Sequence, residues 1–244
     1  MELETEDLDY RKSSNLQGVL FEQISPEYAE KLHLQQRHPY SQYIENEDGK
    51  IFWYVNTLDE EAGKEILQPL TKDTFQQFEI KKQSKLVKIK SKTIKEINQK
   101  ELVREFYEQK PEHYFNVSVL TPMAFKQRGK YVIYPDLRLI YQSLMHKYSA
   151  VLKDIDMMDE DTLEMMAEGS EIVKYKLRSV LFPLEGITIP AFIGTFSIKV
   201  SGTDTMAGFV RMLLKFGEYS GVGIKTALGM GAVKLLEGGK RNER

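Results

Sequence analysis

Segments with strand periodicity and segments with helical periodicity follow one another in the same order twice along this chain, and that order constrains the fold most strongly. In the first half the order is strand, helix, hairpin, helix and strand, and an Asp-Gly pair marks the hairpin turn. The segments are residues 3–5, 16–24 with a short helix at 27–32, 43–44 and 51–55, 59–70, 75–80, and 86–97. This is the split βαβ arrangement with one additional strand.

The second half repeats this plan with a helical insertion, after a polar helical connector at residues 99–109 and a boundary at Pro111. Its segments are the strand 114–120, a hairpin at 125–131, the helix 137–152, an exposed acidic helix ending near 170, the strands 172–182 and 192–200, the helix 206–216 and the strand 232–236. We therefore predict an α+β fold of two tandem ferredoxin-like (βαββαβ, RRM-like) domains, residues 1–110 and 111–244.

Composition narrows the classes of function. The chain has 244 residues, of which 41% are apolar, and it contains no cysteine. The lack of cysteine excludes disulfides, thiolate nucleophiles and cysteine metal sites, and it favours a cytoplasmic location. No apolar stretch approaches the ~18 residues of a membrane span, so we expect no membrane contact. No compact cluster of His, Asp and Glu suggests a metal site.

The net charge is −2, so any attraction to nucleic acid must come from a local basic patch. Seven lysines fall between Lys81 and Lys95. The run is consistent with a nucleic-acid surface, and equally with a solvated strand whose lysines protect a sheet edge.

A glycine-rich segment, residues 217–231, contains five glycines between a helix and the last strand. Glycines permit positive φ and close backbone approach, and their N–H groups can hold phosphate oxygens next to Lys225. A purely structural turn is the alternative. A P-loop is excluded because Ile224 precedes Lys225, and a dinucleotide fingerprint is excluded because Thr226 stands where a third glycine is required.

The spacing G-x-G-x5-G-x-G at Gly221, Gly223, Gly229 and Gly231 resembles the C-terminal loop of the CRISPR-associated, repeat-processing endoribonucleases (Cas family six, RAMP superfamily). The similarity extends to residues 216–221, 121–125 and 16–18, and is greatest to members that accompany type III-A (Csm) systems. It implies metal-independent cleavage of precursor crRNA within its repeats, without a cofactor. In this reaction a ribose 2′-OH attacks the adjacent phosphate, which leaves a 2′,3′-cyclic phosphate and a 5′-OH.

The resemblance also implies a catalytic histidine at His33, in a Leu-His pair that follows the first helical region. His38 and Arg37 are candidates for the second proton carrier and for the phosphate donor, respectively. Some relatives have a lysine where Pro39 stands and a tyrosine where Phe21 stands, so the complete catalytic set does not transfer. The other two histidines, His113 and His146, are interpreted as structural or surface residues.

For RNA binding, the candidates are Arg128, Lys130 and Lys225 together with the four motif glycines, against the alternative of ordinary surface charges. The implied partner is CRISPR repeat RNA, with transient contact to a type III effector complex. A second hypothesis is a non-catalytic RAMP subunit that only binds RNA. We expect His33 to distinguish the two hypotheses.

Overall fold

The computed structural model describes residues 1–35, 37–97, 100–101, 103, 112–152 and 158–236. In the first half, the five strands are β1 (Glu2–Glu4), β2 (Tyr40–Glu47), β3 (Lys50–Thr57), β4 (Gln77–Ile80) and β5 (Lys85–Ser91). The helices are α1 (Ser13–Phe21), α2 (Pro26–Leu34), α3 (Glu60–Ala62), which continues through a π-helical stretch (Gly63–Leu67), and α4 (Gln68–Thr71). All strand pairs are antiparallel, in the sheet order β2-β3-β1-β5-β4.

The second half contains β6 (Tyr114–Met123), the short hairpin β7 (Phe125–Gln127) and β8 (Lys130–Val132), and the long hairpin β9 (Ser170–Leu184) and β10 (Ile187–Val200), before β11 (Val233–Leu236). Its helices are α5 (Leu137–Leu152), α6 (Glu160–Glu168) and α7 (Asp204–Ser220). The main sheet has the order β11-β6-β10-β9. In both halves the first strand lies between the third and the last strand of the βαββαβ unit, with β4 as an extra edge strand in the first half. The predicted ferredoxin-like fold of both halves is confirmed.

Local sequence explains where the elements near the candidate site begin. The backbone N–H of Tyr28 donates to Ser25 Oγ, and Pro26 occupies the first turn of α2. The hairpin between β2 and β3 turns at Asp48 and Gly49, which both have positive φ. Pro26 and the Asp48-Gly49 pair were recognisable in the sequence. The helix α2 and the β2–β3 hairpin form where they were predicted.

Each sheet has its own apolar core, but the glycine-rich segment joins the two. Ala227 packs into the core of the first half, around Trp53. The indole N–H of Trp53 donates to Gln42 Oε1 (2.8 Å), and Gln42 Nε2 donates to the Ala227 carbonyl (2.9 Å). These buried bonds connect β3 through β2 to a segment that is 185 residues away in sequence from Gln42.

Several local predictions differ from the structure. The strand predicted at 86–97 ends at Ser91. The acidic helix α6 is not fully exposed, because its Leu163 and Met166 are buried in the second core. The boundary near residue 110 and most of the 99–109 connector lie outside the described residues. Among the helices that the structure describes, none is both long and apolar enough to cross a membrane.

The lysine run lies along the first sheet, and the structure favours its structural interpretation. Four of its members form ion pairs: Lys81 with Glu22, Lys82 with Glu185, Lys85 with Asp7 and Lys90 with Glu2. A carboxylate that is paired with a lysine partly neutralises its charge, so the lysine attracts a phosphate less strongly. Three of these pairs therefore link parts of the first half, and the pair of Lys82 with Glu185 links the first half to the turn between β9 and β10.

Candidate active site

His33 lies on the exposed side of α2, one residue from the end of the helix. Tyr28 and Leu32 bury the opposite face of this helix. The imidazole stacks on the ring of Phe21 from α1, with centroids 5.1 Å apart and planes 9° apart. The stacking fixes the ring at the protein surface, where RNA can reach it.

His38 follows the helix on an extended segment and is half buried. Its ring lies 5.6 Å from the ring of Tyr40, at an angle of 49°. Burial lowers the pKa of His38, and the positive charges of Lys225 and His33 lower it further. The charge of Lys225 thus acts on His38, although Lys225 lies near the other end of the chain. A lowered pKa favours the neutral imidazole, which accepts a proton.

The backbone N–H groups of the four motif glycines all donate hydrogen bonds within the protein. The N–H of Gly221 donates to the Gly217 carbonyl, that of Gly223 to Ser143 Oγ, that of Gly229 to the Thr226 carbonyl and that of Gly231 to the Pro122 carbonyl. These groups have no hydrogen left for a phosphate oxygen. The predicted phosphate grip by these N–H groups is therefore wrong.

Glycine is required in this segment because the backbone is left-handed and tightly packed. Gly223 has a φ of +84°, and a Cβ there would lie 2.4 Å from the Ala124 carbonyl oxygen. At Gly231, with a φ of +68°, a Cβ would lie 1.9 Å from the Val222 oxygen. The glycines therefore shape the segment, and its exposed cation is Lys225.

Lys225 is held in a left-handed conformation, with a φ of 57°. Its carbonyl accepts from the N–H groups of Leu228 (2.9 Å) and Met230 (3.3 Å). These two bonds offset the cost of a conformation that is unfavourable for a lysine. The tight segment thereby presents one exposed cation, whose charge acts on His38.

Lys147 on α5 is a residue that sequence reasoning missed. Its ammonium is buried and donates to the carbonyls of Ser220 (3.1 Å) and Gly221 (2.9 Å) and to Thr226 Oγ1 (3.2 Å). It therefore holds both sides of the glycine-rich segment against α5. Burial lowers its pKa to about 7, and the charge of Arg37 contributes to the same shift. The sequence pattern that could have identified Lys147 is its helical spacing. Lys147 is three residues after Leu144 and seven after Ile140, and both of these are buried.

Arg37 lies exposed beside His38. Arg128 and Lys130 are exposed at the turn of the β7–β8 hairpin, where Arg128 has a φ of 48°. The hairpin begins beside the glycine-rich segment, because the Ile224 N–H donates to the Ala124 carbonyl (3.0 Å). The contact of Arg128 and Lys130 with RNA stays a prediction.

The side chain of His113 is bonded within the second half of the chain. Its Nδ1 is 2.8 Å from the Val200 carbonyl oxygen and its Nε2 is 2.9 Å from Asp204 Oδ1. The hydrogen bond to Asp204 raises its pKa. Among the residues that the structure describes, no group of three or more His, Asp and Glu side chains is placed to hold a metal ion.

Comparison with known proteins agrees with this arrangement. The family model of the CRISPR-associated endoribonuclease Cas6 matches residues 117–233. The chain is 36% identical over 220 residues to the CRISPR-associated endoribonuclease Cas6 of Streptococcus thermophilus, which covers 90% of this chain and 89% of that protein. It is 34% identical over 222 residues to the Mycobacterium tuberculosis protein of the same name, with 91% and 70% covered.

The solved structure of a Cas6 product complex has the same fold. It superimposes with a TM-score of 0.80 at 21% sequence identity, over 97% of both chains. The duplicated ferredoxin-like architecture and the sequence identity to named relatives thus agree. This chain belongs to the family of CRISPR-associated endoribonucleases Cas6.

Proposed function

We propose that this chain cuts precursor crRNA within CRISPR repeats, without a metal ion. The observation that carries the proposal is the pair of histidines at the end of α2, His33 and His38, together with Lys225, whose positive charge acts on His38. Two imidazoles supply the two proton transfers that cleavage by a ribose 2′-OH requires, and a lysine supplies positive charge.

In the proposed reaction, neutral His38 takes the proton of the 2′-OH, and the freed oxygen attacks the adjacent phosphorus. The bond from phosphorus to the 5′-oxygen breaks, and His33 gives a proton to this leaving oxygen. Lys225 and Arg37 stabilise the charge of the phosphorane. The products are a 2′,3′-cyclic phosphate and a 5′-OH, and a second turnover requires that the two imidazoles exchange protons with water.

We assign the RNA-binding surface to Lys225 and to Arg128 and Lys130 at the neighbouring hairpin turn. In this role the four motif glycines act indirectly, because they set the backbone that carries Lys225. Positive side chains bind the RNA backbone, and most of the affinity should depend on salt.

The test is cleavage of a repeat RNA in EDTA. We expect wild-type protein to cut and to leave a cyclic phosphate, and His33→Ala to lose cutting by at least about 100-fold while it retains binding. His113→Ala is the matched control, because both ring nitrogens of that histidine are bonded to residues of the second half, Val200 and Asp204. Strict dependence on magnesium would contradict the mechanism, and full activity of His33→Ala would contradict the assignment.

The alternative is a RAMP subunit that binds RNA without cutting it. The names of the relatives support cutting, and the His33→Ala experiment decides between the two. If the alternative is correct, wild-type protein and His33→Ala will bind repeat RNA equally and neither will cut it.

We further propose that residues 1–110 and 111–244 are the two domains, and that the protein acts in the cytoplasm and passes its product to a type III effector complex. The resemblance to members that accompany type III-A systems supports the last point. Tagged protein should then recover effector subunits from cells only when crRNA is present.

A further inference from the structure

Strand β9 is the outer strand of the second sheet, because among the described strands it pairs only with β10. Three exposed cations, Lys174, Lys176 and Arg178, lie in the middle of this strand and form what we call the β9 cation row. The only acidic residue of β9 is Glu171, and its carboxylate pairs with Lys199 (3.0 Å). The row is therefore a local positive patch in a chain whose net charge is −2.

The members of the β9 cation row form no ion pair with another described residue. The lysine run on the first sheet differs in this respect, because four of its members are paired with carboxylates. An exposed cation without a carboxylate partner keeps its full attraction for an anion. The charge of the row is thus available to an anionic ligand.

The three cations point to the same face of the sheet, because side chains alternate along a strand. This face is open at their positions. The residues opposite them on β10 are not buried, namely Ser197, Thr195 and Ile193. On the other face, Phe196 and Phe192 of β10 are buried in the second core. Lysines that only protect a sheet edge can occupy either face, whereas all three cations lie on the open one.

The open face of β9 leads to the glycine-rich segment. Beyond Arg178, the same face continues with Val180 and Phe182, towards the turn between β9 and β10. Phe182 is buried in a small cluster with Ala124, which precedes the β7–β8 hairpin, and with Met230 of the glycine-rich segment. The β9 cation row therefore begins near the elements to which we assigned RNA binding and extends away from them along the strand.

The spacing of the row suits the backbone of RNA. Successive cations are two residues apart, about 6.8 Å along the strand, so the row spans about 14 Å. Successive phosphates of an extended RNA backbone recur at a similar interval, and one cation can then contact one phosphate. An acidic protein segment would need carboxylates at matching positions. RNA is favoured because it is also the ligand proposed for the adjoining elements.

We propose that the β9 cation row binds the phosphate backbone of a repeat segment that lies several nucleotides away from the cut. The inference rests on the proposed function, since it takes repeat RNA as the ligand. Contacts to phosphates add affinity and fix the register of the RNA, but they do not read its bases. The row therefore strengthens binding of any RNA long enough to reach it.

The test measures binding of a repeat RNA that has a 2′-deoxy nucleotide at the cut and cannot react. The variant with Lys174→Gln, Lys176→Gln and Arg178→Gln should bind about tenfold more weakly at about 0.1 M salt. Its slope of log affinity against log salt should be smaller by about 2, as the loss of three phosphate contacts predicts. The variant that exchanges the cations, Lys174→Arg, Lys176→Arg and Arg178→Lys, should bind like wild-type protein.

The matched control removes three exposed lysines of the first half, by Lys64→Gln, Lys72→Gln and Lys88→Gln. It changes the net charge by the same amount and should keep the wild-type slope. Shortened RNAs then locate the bound segment. When the repeat is trimmed from one end, wild-type affinity should fall about tenfold at one length, while the affinity of the variant without the row stays constant, because both changes remove the same contacts.

Unchanged affinity and slope in the variant without the row would overturn the proposal, and the row would then protect the sheet edge or bind an acidic protein. An equal loss in the control would also overturn it, because overall charge would then explain the binding. Cutting is measured separately, on RNA with its 2′-OH. If wild-type protein binds this RNA without cutting it, the proposed function fails while the binding assay still tests the row.

Discussion

The imidazole of His33 and the ring of Phe21 are stacked with nearly parallel planes, 9° apart, and their centroids are 5.1 Å apart. The stack joins α1 to α2 at the candidate active site. A catalytic imidazole that is fixed in this way loses little orientation entropy during proton transfer. If His33 is catalytic as proposed, Phe21 is a positioning residue for it.

We expect Phe21→Leu to slow cleavage by about two- to tenfold, the range that an aromatic pair contributes. The apparent pKa values of the pH–rate profile should stay unchanged, because no titrating group is removed. Single-turnover rates between pH 5 and 9 test this, with Phe75→Leu as the control for loss of an aromatic ring in the same core. An unchanged rate in Phe21→Leu would show that the stack has no catalytic role.

The pH dependence should reveal the coupling between Lys225 and His38. Burial and two neighbouring charges lower the pKa of His38, so its base activity persists below the pH at which an ordinary histidine is protonated. Lys225→Met removes one of these charges, and the acidic limb of the rate profile should move to higher pH. Lys130→Met, which removes a cation at the hairpin turn, should weaken RNA binding without moving this limb. A limb that stays in place in Lys225→Met would contradict the assignment of His38 as the base.

Lys147 should make the stability of the fold depend on pH. Its pKa in the folded protein is about 7, below that of the unfolded chain, so between these values the unfolded state binds the additional proton. The free energy of unfolding of wild-type protein should therefore rise from pH 7 to pH 9 relative to that of Lys147→Met, by at most about 1.4 kcal/mol per pH unit. Urea unfolding at both pH values measures the difference. Wild-type protein compared in the same way with Lys64→Met, a variant at an exposed lysine that keeps Lys147, should show no such rise. An equal rise in both comparisons would contradict the buried position of Lys147.

Substitutions at two glycines with similar φ values can distinguish the energetic cost of a left-handed conformation from the cost of steric overlap. Gly231 and Gly186 have φ values of +68° and +73°, but a Cβ at Gly186 meets no atom within 4 Å. Gly186→Ala should cost about 1 kcal/mol for the left-handed conformation, and Gly231→Ala should cost several-fold more because the Val222 carbonyl must move. Equal losses in urea unfolding would show that the segment adapts easily.

The RNA surface can be mapped by salt dependence. Arg128→Ala and Lys130→Ala should each weaken binding and reduce the slope of log affinity against log salt by about 0.7 to 0.9 if each residue contacts one phosphate. Lys82→Ala, in the ion-paired lysine run, should leave the slope unchanged. The reverse pattern would place the RNA on the first sheet.

The sequence predicted the fold well because its signals were local. The Asp48-Gly49 turn, Pro26 at the start of α2 and the apolar spacing of residues 137–152 each act within a few positions. The hydrogen-bond partners of Gly223, Gly231 and Lys147 lie more than 70 residues away, and no periodicity encodes them. The effect of Lys225 on His38 has the same origin, since only tertiary packing brings the glycine-rich segment to the first half.

Ala227 belongs to the second half of the sequence, but it packs in the core of the first half. The bonds from Trp53 to Gln42 and from Gln42 to Ala227 hold it there. A fragment that ends before the glycine-rich segment would leave the core around Trp53 without Ala227 and the Gln42 amide without its acceptor. During synthesis, the first half can therefore complete its core only after the glycine-rich segment has docked on it. Ribosome-bound chains should protect Trp53 from solvent fully only after residue 227 has left the exit tunnel.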